Sequence, residues 1–248
     1  MKIKQLLCLA ALSTPLTVHV AVHADTLSIL VGAGVWNTSP TGNFQKTDDP
    51  AAVDVKDNLF WNDESQGYLF ATLEHPLPII PNVKIMATNN DQSGSGNTSF
   101  TFDGTNFNSN SVSNNFSIQT VDLIGYYEIL DNVVSIDVGL NIRNLKVDYT
   151  ITSATNSISD SLNETVPMLY ALVGGSPIPD LVISGELSYI AFSGSSISDF
   201  TAKIAYTTNF FVGFEAGYRK QQYTFDDISG TDAKLGFDGI FAGAYLKF

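Results

Sequence analysis

The 248-residue sequence holds one cysteine and three histidines, and only 12 basic residues stand against 25 acidic ones. It also lacks any run of ~18 consecutive apolar residues, which excludes a helical membrane span. Cys8 sits in the apolar stretch Leu6–Leu12 without the small residues that a lipoprotein cleavage box places before it. Lys2 and Lys4 make the start positive, and Val22-His23-Ala24 precedes Asp25 as a small-residue cleavage site. Residues 1–24 therefore read as a signal peptide cleaved between Ala24 and Asp25, and residues 25–248 as a single domain.

Removing that leader takes both lysines and no acid, leaving 10 basic and 25 acidic residues and a net charge of −15. Nucleic acid is excluded as a partner on charge. Disulfide and thiolate chemistry leave with Cys8. His19 and His23 leave too, so any imidazole chemistry rests on His75. A soluble periplasmic protein and a membrane β-barrel, whose signal per segment is weak, both remain.

What the chain does have is period-two alternation. Strands are predicted near 26–36, 67–74, 83–90, 114–129, 133–149, 164–174, 181–193, 198–206, 210–224 and 236–248. Their connections alternate in kind. Those at 75–82, 130–132, 175–180 and 207–209 are short; those at 37–66, 91–113, 150–163 and 225–235 are long or polar, as is the small 193–196 tip. Short turns on one side and longer loops on the other fit an outer-membrane barrel with periplasmic turns. The Asn/Ser/Gly-rich 91–113 stretch reads as a mobile external loop.

Charges keep to one face. Val134, Ile136, Val138, Leu140 and Ile142 share one side of a strand, and Ser135, Asp137, Gly139, Asn141 and Arg143 the other; Phe214, Ala216 and Tyr218 likewise oppose Glu215 and Arg219. A lipid-facing charge at the midplane costs roughly 2–4 kcal/mol, whereas a lumen-facing one need not. The outward-parity charges Lys146, Asp148, Lys220 and Asp238 lie farther from the short turns, beyond the hydrocarbon. A soluble barrel would also alternate. The C-terminal run decides for the membrane: Gly243, Leu246 and the final aromatic Phe248 resemble the signal by which outer-membrane proteins are recognised for assembly.

The fold class expected is thus all-β, a transmembrane antiparallel up-and-down barrel of about ten strands, with eight or twelve left open. It is expected to be monomeric, in the outer membrane of a Gram-negative bacterium. Membrane lipids, lipopolysaccharide and, through the C-terminal strand, the barrel-assembly machinery are the expected partners, and the external ligand is left open.

Two turns carry a family resemblance. Glu74-His75-Pro76-Leu77-Pro78-Ile79-Ile80-Pro81-Asn82 and Tyr126-Tyr127-Glu128-Ile129-Leu130-Asp131-Asn132 resemble the hallmarks of an uncharacterised proteobacterial family of outer-membrane β-barrel proteins. Gly32-Ala33-Gly34-Val35-Trp36, Asp137-Val138-Gly139, Gly217-Tyr218-Arg219 and the terminal Phe248 extend it over the mature chain. The resemblance implies fold and location but no activity. Physically, three prolines in 76–81 stiffen the turn and pin the register of its strands, and His75 beside them reads as structural.

Inward parity places acids Glu74, Asp122, Glu128, Asp137, Glu186 and Glu215 against bases Lys84, Arg143, Lys203 and Arg219. Nearly balanced signs suggest a paired lumen network, because unpaired buried charge is costly. With about ten strands the lumen should be largely plugged. The alternative role for these charges is ion selectivity in a narrow channel. Tyr127, Tyr206, Phe210 and Phe248 near the short turns, and Trp36, Tyr149, Tyr170, Phe192, Phe200 and Tyr223 nearer the loops, read as two interfacial girdles. Trp61 reads as loop packing, with a sugar platform on Trp36 or Trp61 the other reading.

No catalytic residue, cofactor or metal ligand is assigned. A barrel hydrolase would want a histidine at the outer rim, where none is predicted. The acidic pairs Asp48-Asp49 and Asp226-Asp227 read as solvated loop charge, with activation of water the other reading. The first loop's Asp48, Asp49, Asp54, Asp57, Asp63 and Glu64 read as solvated, as a weak divalent-cation site, or as meeting lipopolysaccharide through shared divalent cations. Three functions stand: a surface or envelope binding or structural protein, a narrow passive channel, and a loop-based hydrolase.

Overall fold

The computed structural model describes residues 27–131 and 134–248. Ala24, Asp25 and the predicted turn residue Asn132 lie outside them. β1 (Ser28–Lys46), β3 (Glu64–Glu74), β4 (Asn82–Phe102), β5 (Thr105–Asp131) and β6 (Val134–Thr152) are followed by β7 (Ser157–Ile178), β8 (Leu181–Phe192), β9 (Ser195–Thr207), β10 (Val212–Ile228) and β11 (Thr231–Lys247). A two-residue β2 (Val53–Asp54) lies against β1. Consecutive strands pair antiparallel, and β11 pairs β1 from Leu30↔Lys247 to Lys46↔Thr231, closing a ten-stranded barrel. The backbone exchange between Ile29 and Phe248, at 3.0 and 2.8 Å, seals the seam at the last residue.

Alternation does what the pattern predicts. Val134, Val138, Leu140 and Ile142 face outward while Asp137, Asn141 and Arg143 are buried inside. Around the wall the outward row continues through Val31, Val35, Leu69, Ile85, Leu123, Leu169, Ile183, Ile204, Phe214 and Ile240. This is an unbroken apolar belt. From Val134 to Ile142 it spans roughly 20 Å, at about 3.3 Å per residue and a tilt of about 40°, close to the apolar band of about 25 Å of an outer-membrane barrel. Lys146 and Asp148 pair with each other above it, at 2.8 Å.

The ends opposite the short turns differ from expectation. The 91–113 stretch is not a mobile loop but the top of the β4–β5 hairpin, paired down to Phe102↔Thr105 around a turn at Asp103 and Gly104. The 150–163 and 225–235 stretches are likewise strand, with turns at 153–156 and 229–230. Serine, threonine and asparagine rows lack the apolar alternation of a membrane strand, yet outside the bilayer backbone pairing and an apolar inner face suffice. Phe100, Phe102, Phe107, Val112 and Phe116 supply that face.

The segment 47–63 also overturns its reading as a solvated acidic loop. It folds over the end of the barrel opposite the short turns and buries Val53, Val55, Leu59 and Trp61. Trp61 packs edge-on to Phe116 at 4.9 Å and stacks near Phe237, and its indole N–H donates to Asn114 Oδ1 at 2.8 Å. Asn114 returns its amide to the Leu59 carbonyl at 2.8 Å. Asp49 is buried and accepts the N–H groups of Asp103 and Gly104 at 2.8 and 3.0 Å. Gly94 is required beneath this lid, because a Cβ there would overlap the Leu59 carbonyl oxygen.

Candidate functional site

Three layers of side chains divide the bore. The uppermost is the apolar plug just described, completed by Phe44, Leu145, Ile151, Ile197 and Tyr223 from the walls. Burying so much apolar surface makes this level costly for water to enter.

Below it lies a layer of buried charge. Asp199 on β9 is its hub: the carboxylate accepts Arg143 Nη2 at 2.5 Å, Arg219 Nε and Nη2 at 2.9 and 2.7 Å, and Gln221 Nε2 at 2.8 Å. Arg143 also grips Asp122 bidentately, at 2.7 and 2.9 Å. Arg219 reaches Thr88 on β4 at 2.9 Å and covers the Trp36 ring at 5.0 Å. Side chains from β4, β5, β6, β9 and β10 thus meet across the bore. Planar guanidinium forks suit this role, since they hold carboxylates in fixed geometry.

The third layer, nearer the short turns, is a second pair of networks. Glu186 binds Lys84 and Lys203, the latter at 3.3 Å, and Lys203 also contacts Glu215 at 3.4 Å. Tyr68 and Tyr170 donate to Glu215 and Glu186 at 2.7 and 3.3 Å. Tyr126 donates to Glu74 at 3.0 Å, and Asn82 to Glu128 at 3.1 Å. All of these but Asn82 line a cavity of about 480 Å³ that also touches rim residues Ser28, Ser135, Gly175, Thr207 and Lys247. The lumen is therefore filled above and hollow below.

Glu74, Asp122, Glu128, Asp137, Glu186, Glu215, Lys84, Arg143, Lys203 and Arg219 all face this interior, as expected from parity. Asp199 was missed although it shares the parity of Lys203 four residues on. Trp36, Tyr170 and Tyr223 are corrected: they are buried inside rather than in a girdle, and Tyr149 leans inward on Phe116 with ring centroids 5.2 Å apart. Strand parity decides this, and their height along the strands does not. Phe192, Phe200, Tyr127, Tyr206, Phe210 and Phe248 do face outward.

His75 sits in the short turn, where Nδ1 accepts the Leu77 N–H and Nε2 contacts the Pro81 carbonyl, both at 3.2 Å. Asp226 and Asp227 use their backbone N–H groups locally, on Ser195 and Asp232. Among the described residues no cluster of His, Cys, Asp or Glu has metal-binding geometry.

With this geometry in hand, the outer membrane protease OmpT from Escherichia coli matches over 92% of this chain and all of its own, at 9% identity and a TM-score of 0.51. The fold is that of an outer-membrane β-barrel. The attachment invasion locus protein Ail of Yersinia pestis, with sucrose octasulfate, aligns over 90% of this chain and all of its own at 12% identity and a TM-score of 0.39; a major outer membrane protein from Thermus thermophilus does so over the same shares at 13% and 0.41. These two looser likenesses add nothing to the assignment. Comparison of the sequence with family models and with curated proteins finds no match. Barrel closure, an apolar belt of bilayer height and an ionised interior place the chain across the outer membrane.

Proposed function

We propose that this barrel is a non-enzymatic, non-conducting surface scaffold: it anchors a tall, rigid β-wall in the outer membrane and presents it for binding or envelope structure. One observation carries the reading, the double closure of the bore by the Val53–Trp61 plug above the Arg143–Asp199–Arg219 layer. A diffusion path would have to displace both. We also infer membership of the proteobacterial family suggested by the two turn motifs, and lipopolysaccharide and the assembly machinery as partners, supported by the exposed belt and the terminal Phe248.

The lower cavity of about 480 Å³ favours a second reading, a narrow channel gated by the plug. Planar-bilayer recording separates the two. The refolded chain should show no steady conductance, and regular single-channel steps in the unmodified protein would overturn the scaffold reading. The protease likeness concerns fold alone. His75, the one histidine among the described residues, lies at the opposite end from the acidic pairs, which supports the non-enzymatic reading.

A further inference from the structure

The wall of the barrel is uneven above the membrane. β7 runs for 22 residues, while its neighbour β8 has only 12. Their uppermost rung is Leu169↔Tyr189, yet β6 accompanies β7 to Thr152↔Ser157. Ser157–Met168 therefore has a partner strand on one side and an open edge on the other. Ile142, the uppermost residue of the apolar belt on β6, pairs with Pro167, so the open edge above Pro167 stands clear of the bilayer.

Two observations agree on which backbone groups point into the gap. Pro167 pairs with Ile142, and a proline is tolerated in a sheet where its nitrogen faces away from a partner. Antiparallel pairing alternates, so the odd residues Ser157, Ser159, Ser161, Asn163 and Thr165 turn their N–H and carbonyl groups to the edge. The Ser161 N–H accordingly donates to the neighbouring Asp160 carboxylate at 2.8 Å rather than to β6. Below the gap, Leu169, Ala171 and Val173 continue the same odd row into the ladder with β8.

The row of side chains on the lumen-side face of this edge is Ile158, Asp160, Leu162, Glu164 and Val166, alternately apolar and acidic. Among the described residues no basic side chain pairs with Asp160 or Glu164. Free edges are ordinarily blunted, and inward acids and a proline are two of the means. Here those acids also select, because an added strand lays its side chains directly opposite them.

We propose that the upper edge of β7 is a strand-addition site for an extended segment of a partner polypeptide whose inward side chains alternate apolar and basic. A second copy of this chain is opposed by charge, since it would bring Asp160 and Glu164 against acids of the same kind on a chain of net charge −13. The site rests on the surface-binding reading, but bilayer recording tests closure and peptide binding tests the edge, so either can fail alone.

The probe is the peptide Val-Thr-Lys-Thr-Val-Thr-Lys-Thr-Val, whose symmetric sequence fits either strand direction, titrated against the full chain folded in lipid nanodiscs. It should bind roughly tenfold tighter than its glutamate counterpart, from two opposite-charge cross-strand pairs. Asp160→Lys with Glu164→Lys should reverse that preference. Asn163→Pro, which removes an edge N–H and spares the ladder with β6, should weaken binding; backbone N-methylation of the peptide should do the same with no change to the protein. Equal affinity for both peptides, no saturable binding, indifference to N-methylation, or rapid disulfide cross-linking of Asn163→Cys chains to one another would each overturn the proposal.

Discussion

Replacing Asp199 by asparagine tests the charged layer at its hub. The substitution keeps shape and one acceptor oxygen, but puts an amide donor where four donor contacts now converge on the carboxylate. Arg143 retains Asp122 as a bidentate partner, whereas Arg219 is left with Thr88 and the Trp36 ring. One buried guanidinium thus loses its counter-charge. Breaking a buried pair by removing one partner costs about 3–5 kcal/mol, because the other charge stays buried and unpaired. At 1.4 kcal/mol per decade this is a shift of roughly 10²- to 4 × 10³-fold toward the unfolded chain. Urea titration in lipid vesicles, followed by tryptophan emission, reads it directly, since Trp36 lies under the Arg219 guanidinium. Adding Arg219→Gln to Asp199→Asn removes the stranded charge and should restore more than half of the loss. A loss below about 1 kcal/mol, or a double variant no more stable than the single one, would refute the layer as a paired network.

The belt and the lid yield two further tests. Val138→Arg places a charge on the lipid face at mid-belt and should cost about 2–4 kcal/mol in vesicle unfolding, whereas Asn144→Arg, three outward positions higher, should cost about 0–1 kcal/mol; equal costs would misplace the belt. Gly94→Ala forces a methyl group into the Leu59 carbonyl, so the lid must lift at a cost of about 1–3 kcal/mol. Acrylamide should then quench Trp61, and unchanged quenching would mean that the lid does not rest on that glycine.

The membrane half of the barrel was legible because two constraints act on every strand at once: lipid admits only apolar side chains outside, and the small bore admits only paired ones inside. That is why parity placed Arg143, Glu186, Lys203 and Arg219 correctly. It also contained Asp199, in register with Lys203, which a residue-by-residue count along β9 would have found. The extramembrane half was illegible for the converse reason. Outside the bilayer the outer face meets water, so Ser, Thr and Asn rows such as Ser157–Thr165 form strand with no apolar alternation to announce them. Phe102, Phe107 and Phe116 were visible, but at that height an aromatic reads equally well as girdle, loop or core until the partner strand is known. The lid depends on contacts such as Trp61 to Asn114 and Asp49 to Gly104, between residues 53 and 55 apart in the chain. No local pattern encodes those.

The two closures answer different physical problems, and their order along the axis follows from the surroundings. Within the membrane the wall is fixed by lipid outside, and the interior of a ten-stranded barrel is too narrow for water to screen charges freely. Arg–Asp forks close that level with defined geometry, at the cost that each member becomes indispensable to the others. Above the bilayer the wall is wetted on its outer face, so a hydrophobic plug regains there the driving force that burial from water supplies and burial from lipid does not. The lid segment contributes Val53, Val55, Leu59 and Trp61 to that plug while its acids Asp48, Asp57 and Asp63 stay toward solvent. A chain with only the lower closure would stand as a hollow cup on the cell surface; with the lid, the tall wall of β4–β7 becomes one face of a packed body, stiff enough to hold the open edge of β7 in register for a partner.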